Sequence, residues 1–273
     1  MGIKNRLFML LILLFLSFSC SKETTPEEPA EIINVSISAN IDTIFNGQEV
    51  IFSALIDNEI KEATFYFNGQ NIGSKIYPPY EVKFTPSDVE PGEHEVKCIV
   101  KSLKDNEFEN SLAISLVLRL GDDFKGGKIF YLDDFGVHGL IAAKNDLEVN
   151  GRNGFFWGNT GLIGTDKTNG QENTAKMIEV SPNDTYAAFH FKNGLIINGF
   201  NDWYIPSINE LKLLKENKYL VGGFSNASNW EANYWSSSEL TDTNAEALHF
   251  NVLMGNSYHK QMYALKIRPI RKF

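Results

Sequence analysis

The chain has 273 residues, 43% of them apolar, with 25 Lys and Arg against 34 Asp and Glu, for a formal net charge of −9. A pI near 5.1 excludes a generic nucleic-acid binder, and a mean hydropathy of −0.21 excludes a polytopic membrane protein. Two cysteines exclude a disulfide scaffold, and the length suggests two domains of roughly 100–200 residues each.

The N-terminus reads as an address. Lys4 and Arg6 precede an apolar run from Leu7 to Phe18. That run is shorter than the ~20 residues a membrane-spanning helix needs. Residues 1–19 therefore read as a signal peptide. The lone Cys20 directly after it resembles a bacterial lipoprotein box, with Ser17 where an aliphatic residue usually stands. Cleavage before an incidental Cys is the alternative. Residues 20–31, with Pro, Thr and Glu and no large apolar side chain, form a flexible acidic tether. Ser21-Lys22-Glu23 is similar to a short signal for export to the outer face. These features predict a protein held by a lipid on Cys20 at the outer membrane, facing the cell surface.

Residues 32–119 read as strands. Val50, Phe52, Ala54 and Ile56 alternate with more polar neighbours, as do Ala63, Phe65 and Phe67. Asn68-Gly69 signals a tight hairpin, and Pro78-Pro79 and Pro91-Gly92 mark further turns. Alternation puts Val96, Cys98 and Val100 on one buried face, which makes Cys98 a small hydrophobe. Short strands without a helix predict a β-sandwich. The segments Ala63–Gly73, Pro79–Val82 and Gly92–Val96 are similar to bacterial Ig-like modules. From Ser21 to Arg119 there are 8 Lys and Arg against 17 Asp and Glu, the balance of a solvated spacer.

Residues 120–273 hold all four tryptophans, at 157, 203, 230 and 235. Strands are predicted over Gly127–Leu132 and His138–Ala143, with a turn at Asp133–Gly136. A short helix is expected over Gln171–Ile178. Ser207 with Glu210 three residues on forms a capping box that starts a second helix, whose apolar face begins at Leu211 and Leu214. Ala264–Arg271 reads as a final strand that ends at Pro269 or lies at an edge.

Four ordered segments carry a further resemblance: Gly126–Tyr131 with His138–Ala143, Asp202–Leu211, Tyr234–Glu239 and Ile267–Arg271. Together they resemble the Lcl C-terminal domain family of collagen-like bacterial adhesins. Trp203-Tyr204-Ile205-Pro206-Ser207 is also similar to the C-type-lectin-like fold of formylglycine-generating enzymes. The resemblance implies an α+β domain over 120–273 whose first and last strands pair. It also implies binding to sulfated glycosaminoglycans, for which Arg268, Arg271 and Lys272 are the basic residues at hand.

No catalytic residues are assigned. Ser236-Ser237-Ser238 lacks a Gly-x-Ser-x-Gly elbow and reads as backbone-satisfying hydroxyls in a turn beside a core Trp235. The five histidines fall in no zinc-ligand spacing. Asp122-Asp123, Asp133-Asp134, Asp166 and Asp242 with Asn244 and Glu246 read as solvated turns, so no metal and no cofactor is expected. The formylglycine-generating enzymes work through cysteines, which this region lacks, so no enzyme is expected. Trp203 and Trp235 are expected in the core. Trp157 with Asn159, and Trp230 with Asn229 and Asn233, place rings beside amides and are candidate glycan contacts. The expected function is adhesion or glycan contact by a terminal domain on an Ig-like spacer. The alternative is a structural or interaction subunit that binds a protein partner in a surface assembly.

Overall fold

The structure, a computed structural model, describes residues 29–252 and 255–273; the signal peptide, Cys20 and the tether up to residue 28 lie outside the described residues. The first sheet contains β1 (Val35–Ala39), β3 (Val50–Ile56) and β6 (Tyr80–Phe84), in the order β1-β3-β6. The second contains β2 (Thr43–Phe45), β4 (Ile60–Phe67), β5 (Gln70–Lys75), β7 (Gly92–Ser102) and β8 (Glu107–Val117), in the order β2-β8-β7-β4-β5. All pairings are antiparallel except β2 with β8, which runs parallel from Thr43↔Ser115 to Phe45↔Val117.

The predicted sandwich is therefore present, and its alternation explains it. Val96, Cys98 and Val100 point inward along β7 while Glu95 and Lys101 face water. Burial pushes the Cys98 thiol up to about 11, as befits an inert core position. Phe67 of β4 meets Phe84 of the other sheet with ring centroids 4.7 Å apart. Asn68 and Gly69 turn β4 into β5 with φ of 48° and 78°, a left-handed pair that asparagine and glycine tolerate best.

No sheet crosses residues 118–122. Beyond them, β9 (Asp123–Phe124), β10 (Gly127–Leu132), β11 (Gly139–Ala142) and β15 (Ile270–Lys272) form one sheet in the order β15-β11-β10-β9. A second sheet contains β12 (Asn233–Glu239), β13 (Asn244–His249) and β14 (Gly255–His259). Helices α1 (Gly170–Glu179), α2 (Ile208–Glu216) and α3 (Lys218–Val221) accompany them. The capping box at α2 is formed: Glu210 N–H donates to Ser207 Oγ, and Glu210 Oε2 accepts from Ser207 N–H at 2.8 Å.

Three expectations need correction. The last strand begins after Pro269 rather than ending there, because residues 264–268 make only isolated bridges, such as Phe155↔Leu265. It pairs with β11, not with the first strand of the region, while its place at the sheet edge is the one expected. Ser236–Ser238 lie within a buried strand, not a turn. Their hydroxyls still satisfy backbone: Ser236 donates to Glu246 O and Ser238 to Asp166 O. Trp203 and Trp235 are buried as expected.

The joint between the two pairs of sheets is short and bonded. Gly121 N–H donates to Ile129 O at 2.8 Å, and Ile129 N–H to Asp122 O at 3.0 Å. Arg119 lies over the Phe45 ring at 3.8 Å. Lys125 N–H donates to Asp88 Oδ1 at 2.7 Å, its ammonium pairs with Glu90 at 2.6 Å, and its carbonyl accepts from Arg271 at 3.0 Å.

Candidate ligand-binding site

A cleft of about 300 Å³ is walled by Trp230, Glu231 and Asn233 on one side and by Asn153, Gly154 and Ala264–Lys266 on the other. The first wall is a single 3-10 turn, Trp230–Ala232, leading into β12. Asn229 caps it, its Oδ1 accepting from Glu231 N–H at 3.1 Å, while Asn229 O accepts from His249 Nε2 at 2.9 Å. Asn233 closes the turn from the other end by donating to Trp230 O at 3.0 Å. The backbone is thus pinned on both sides while the Trp230 ring stays 62% exposed.

The second wall needs a glycine. A Cβ on Gly154 would sit 2.9 Å from Ala264 O, so only glycine lets the two chain segments approach. Phe155 and Leu265 then exchange backbone hydrogen bonds at 2.9 and 3.1 Å. Behind this wall Asp146 gathers charge. It accepts from the Tyr234 hydroxyl at 2.9 Å and from Arg268, and stands 3.5 Å from Lys266. Burial first, then the Asp146 charge, pushes the Tyr234 phenol well above its ordinary range. Asp146 thereby pairs with both Lys266 and Arg268, one carboxylate against two cations, and Glu231 is the exposed carboxylate at the cleft. An indole face with polar groups around it suits a ring that is apolar on its flat side and hydroxylated at its edge.

The structure separates the predicted contacts. Trp230 and Asn233 line the cleft and Asn229 holds it in shape. Trp157 is corrected to a core residue: it is 0% exposed, donates to Ser236 O at 2.7 Å and carries the Lys260 ammonium 4.6 Å from its ring centroid. Asn159 is spent accepting from Gln261 at 3.1 Å, away from the cleft. Arg268 is corrected as well. It is fully buried and bonded to Asp146, Ala143 O, Gly222 O and Gly223 O, with its guanidinium 3.9 Å from the Phe224 ring centroid. Arg271 makes a two-pronged pair with Asp202 at 2.7 and 2.8 Å and stacks on Phe200. That pairing holds the Asp202 carboxyl below its ordinary range against the opposing effect of burial. Neither arginine presents a charge to a polyanion.

The cleft residues missed in the sequence are Asn153, Glu231 and Lys266. Only the Asn153-Gly154 dipeptide carries a local signal. Among the described residues no group of three or more His, Cys, Asp or Glu side chains is placed to hold a metal. Asp133 and Asp166 turn their carboxylates onto backbone N–H groups instead. No helix of the described residues is long and apolar enough to cross a membrane.

No known family model matches the chain, and no curated protein matches it. Among solved structures it is similar to fibronectin(III)-like modules of Clostridium thermocellum CbhA, at 21% identity over 31% of this chain and 98% of that one, TM-score 0.28. It is similar to the CARDB domain of a Pyrococcus furiosus protein, at 16% identity over 32% and 94%, TM-score 0.26. A third match is to carbohydrate-binding modules of the β-sandwich superfamily, at 10% identity over 42% and 48%, TM-score 0.28. The sandwich of residues 35–117 rests on its own observed sheets.

Proposed function

We propose that the chain is a lipid-anchored cell-surface protein that contacts glycans without chemistry, through the Trp230 cleft, with the sandwich of residues 35–117 as an acidic spacer. The observation that carries this reading is a large exposed indole on a backbone pinned at both ends, facing a wall that a glycine brings close. The Lcl-type motifs support an adhesive role for the region beyond residue 120, and the lipoprotein box supports anchoring through Cys20 at the outer membrane. With Arg268 and Arg271 consumed inside the fold, the ligand is a neutral or weakly charged glycan rather than a sulfated one.

The test is a glycan array followed by binding at low and high salt. A stacking site responds little to salt, because it releases few counterions, and Trp230→Ala abolishes it without lowering the melting temperature. A steep salt dependence with no effect of Trp230→Ala overturns the cleft assignment. A second reading is a partner-binding subunit of a surface assembly, for which the exposed Phe135 and Tyr219 are candidate contacts. An empty array with a stoichiometric co-purifying protein selects it.

A further inference from the structure

One end of the sandwich is built from three loops: those between β3 and β4, between β5 and β6, and between β7 and β8. Its tip is apolar. Ile76 and Tyr77 of the middle loop stand 56% and 75% exposed, and Leu103 of the last stands 55% exposed. The three converge on one groove of about 790 Å³, which Ile56, Ile60 and Tyr80 complete. Apolar side chains gathered at an exposed tip mark a contact surface.

The chain enters at this same end. Asn34 donates from its N–H to Asp57 Oδ1 at 2.9 Å and from its side chain to Asp57 Oδ2 at 2.6 Å, and Asp57 itself lines the groove. From the last of the three loops, β8 runs 11 residues to Val117 at the opposite end, where residues 118–122 begin. Whatever precedes Asn34 therefore starts beside Tyr77, and the region beyond residue 120 starts at the far end of the sandwich.

That entry point selects the occupant. On the reading that Cys20 carries a lipid, on which this inference rests, the chain from Cys20 to Asn34 reaches at most about 50 Å when fully extended. It is this end that the anchor holds near the bilayer, at high effective concentration. The side chains suit that place: tyrosine sits at the headgroup level with its ring in the apolar layer and its hydroxyl in water, and aliphatic neighbours go with it. Charge does not oppose the contact. Residues 57–61, 75–79 and 101–107 hold four lysines against four carboxylates, whereas Ser21 to Arg119 as a whole has 8 Lys and Arg against 17 Asp and Glu. Asp105 in particular is held between Lys61 at 2.7 Å and Lys101 at 3.3 Å. A soluble protein partner has no covalent reason to meet this end rather than another.

We infer that the tip formed by Ile76, Tyr77 and Leu103 docks into the interfacial layer of the lipid bilayer that holds the anchor, so that the sandwich stands end-on to the membrane.

The experiment uses the chain as the cell processes it, reconstituted in vesicles of phosphatidylethanolamine and phosphatidylglycerol. A nitrobenzoxadiazole label is placed on Tyr77→Cys, on Leu103→Cys or, at the opposite end of β5, on Gln70→Cys; Cys98 is buried and takes no label. The mass of the N-terminal peptide reads the lipid on Cys20 separately. The labels at 77 and 103 are expected to shift to the blue and to lose emission to lipids that carry a quencher at the headgroup, at high salt as at low, because the contact is apolar. The label at 70 is expected to keep the emission it has in water. Ile76→Ser with Tyr77→Ser is expected to reduce the blue shift at 103 without lowering the melting temperature, since both side chains are exposed. A lipid-bearing chain whose labels at 77 and 103 stay water-like overturns the inference and leaves the anchor reading intact; a chain without lipid overturns both. Equal shifts at 70 and 77 overturn it, because the sandwich then lies flat on the surface. A signal that fades as the protein is diluted among lipid also overturns it, because the tip then meets a second copy of the chain.

Discussion

Arg268 and Arg271, read in the sequence as basic residues at hand for a sulfated ligand, act in the fold as struts, and Lys260 does the same. Lys260 is wholly buried, donates to Gly161 O at 2.8 Å and pairs with Glu239 at 3.0 Å. Glu239 in turn accepts from Ile163 and Gly164 N–H, so one ion pair helps pin the loop at 161–165. Their partners explain why sequence reasoning missed them: Arg268 meets Asp146 across 122 positions, a distance at which no spacing rule operates. Arg268→Ala leaves Asp146 with only the Tyr234 hydroxyl and the more distant Lys266, and strips the donor from three backbone carbonyls. Denaturant titration is expected to show a loss of about 3–5 kcal/mol, with glycan binding by the folded fraction unchanged in salt dependence. The Glu239 pair also sets a pH dependence. Burial pushes this carboxyl up, but the two N–H groups and Lys260 outweigh it and hold it below the ordinary 4.5. A carboxyl depressed in the folded state stabilises above its unfolded value and loses that contribution as pH falls through the folded one. Melting temperature is therefore expected to drop below about pH 4.5, more steeply in the parent than in Glu239→Gln.

Helices α1 and α2 share one carboxylate. Glu210 Oε2 accepts from Ser207 N–H at 2.8 Å, Ser207 Oγ at 2.8 Å and Gly170 N–H at 3.1 Å, while Oε1 accepts from Tyr204 at 3.0 Å. The first bond was legible, because a capping box is written within four residues. The Gly170 and Tyr204 bonds were not, because they depend on how the start of α1 and the segment before α2 pack onto Glu210. Gly170 opens α1 where a Cβ would overlap Glu210 Oε2 and sit 2.6 Å from Ile205 O and Ser207 N. Gly170→Ala is thus expected to disturb both helices at once and cost roughly 1–3 kcal/mol by chemical denaturation, although alanine is the better helix former. The hairpin at Asn68-Gly69 was readable for the same local reason as the capping box. The fate of Ala264–Arg271 was not: its alternation suits a strand, yet Leu265 and Lys266 reach only single bridges before Pro269.

Over the whole molecule, Lys125 holds the two pairs of sheets together with its N–H, which donates to Asp88, and its ammonium, which pairs with Glu90. Exposed ion pairs of this kind contribute little to global stability, about 0–1 kcal/mol. Their effect is on the freedom of the joint. Asp88→Ala combined with Lys125→Ala is expected to raise the rate of proteolytic cutting within residues 118–122 while leaving the melting temperature nearly unchanged. The composition and tryptophan shift near residue 120 marked this place in the sequence. The bonds that stiffen it lie 35 to 37 positions apart and could not be read there.

The parallel pair β2 and β8 has a mechanical meaning. Tension that enters β2 at Thr43 and leaves β8 at Val117 acts at opposite ends of the same short ladder. Tension along parallel strands loads their hydrogen bonds sideways and all together, so they must slide as a set instead of peeling one after another. Because Val117 runs straight into the Arg119–Phe45 contact, the same pull presses on the joint. Tension carried between Thr43 and Val117 would thus meet this ladder in shear, the geometry in which its bonds share the load.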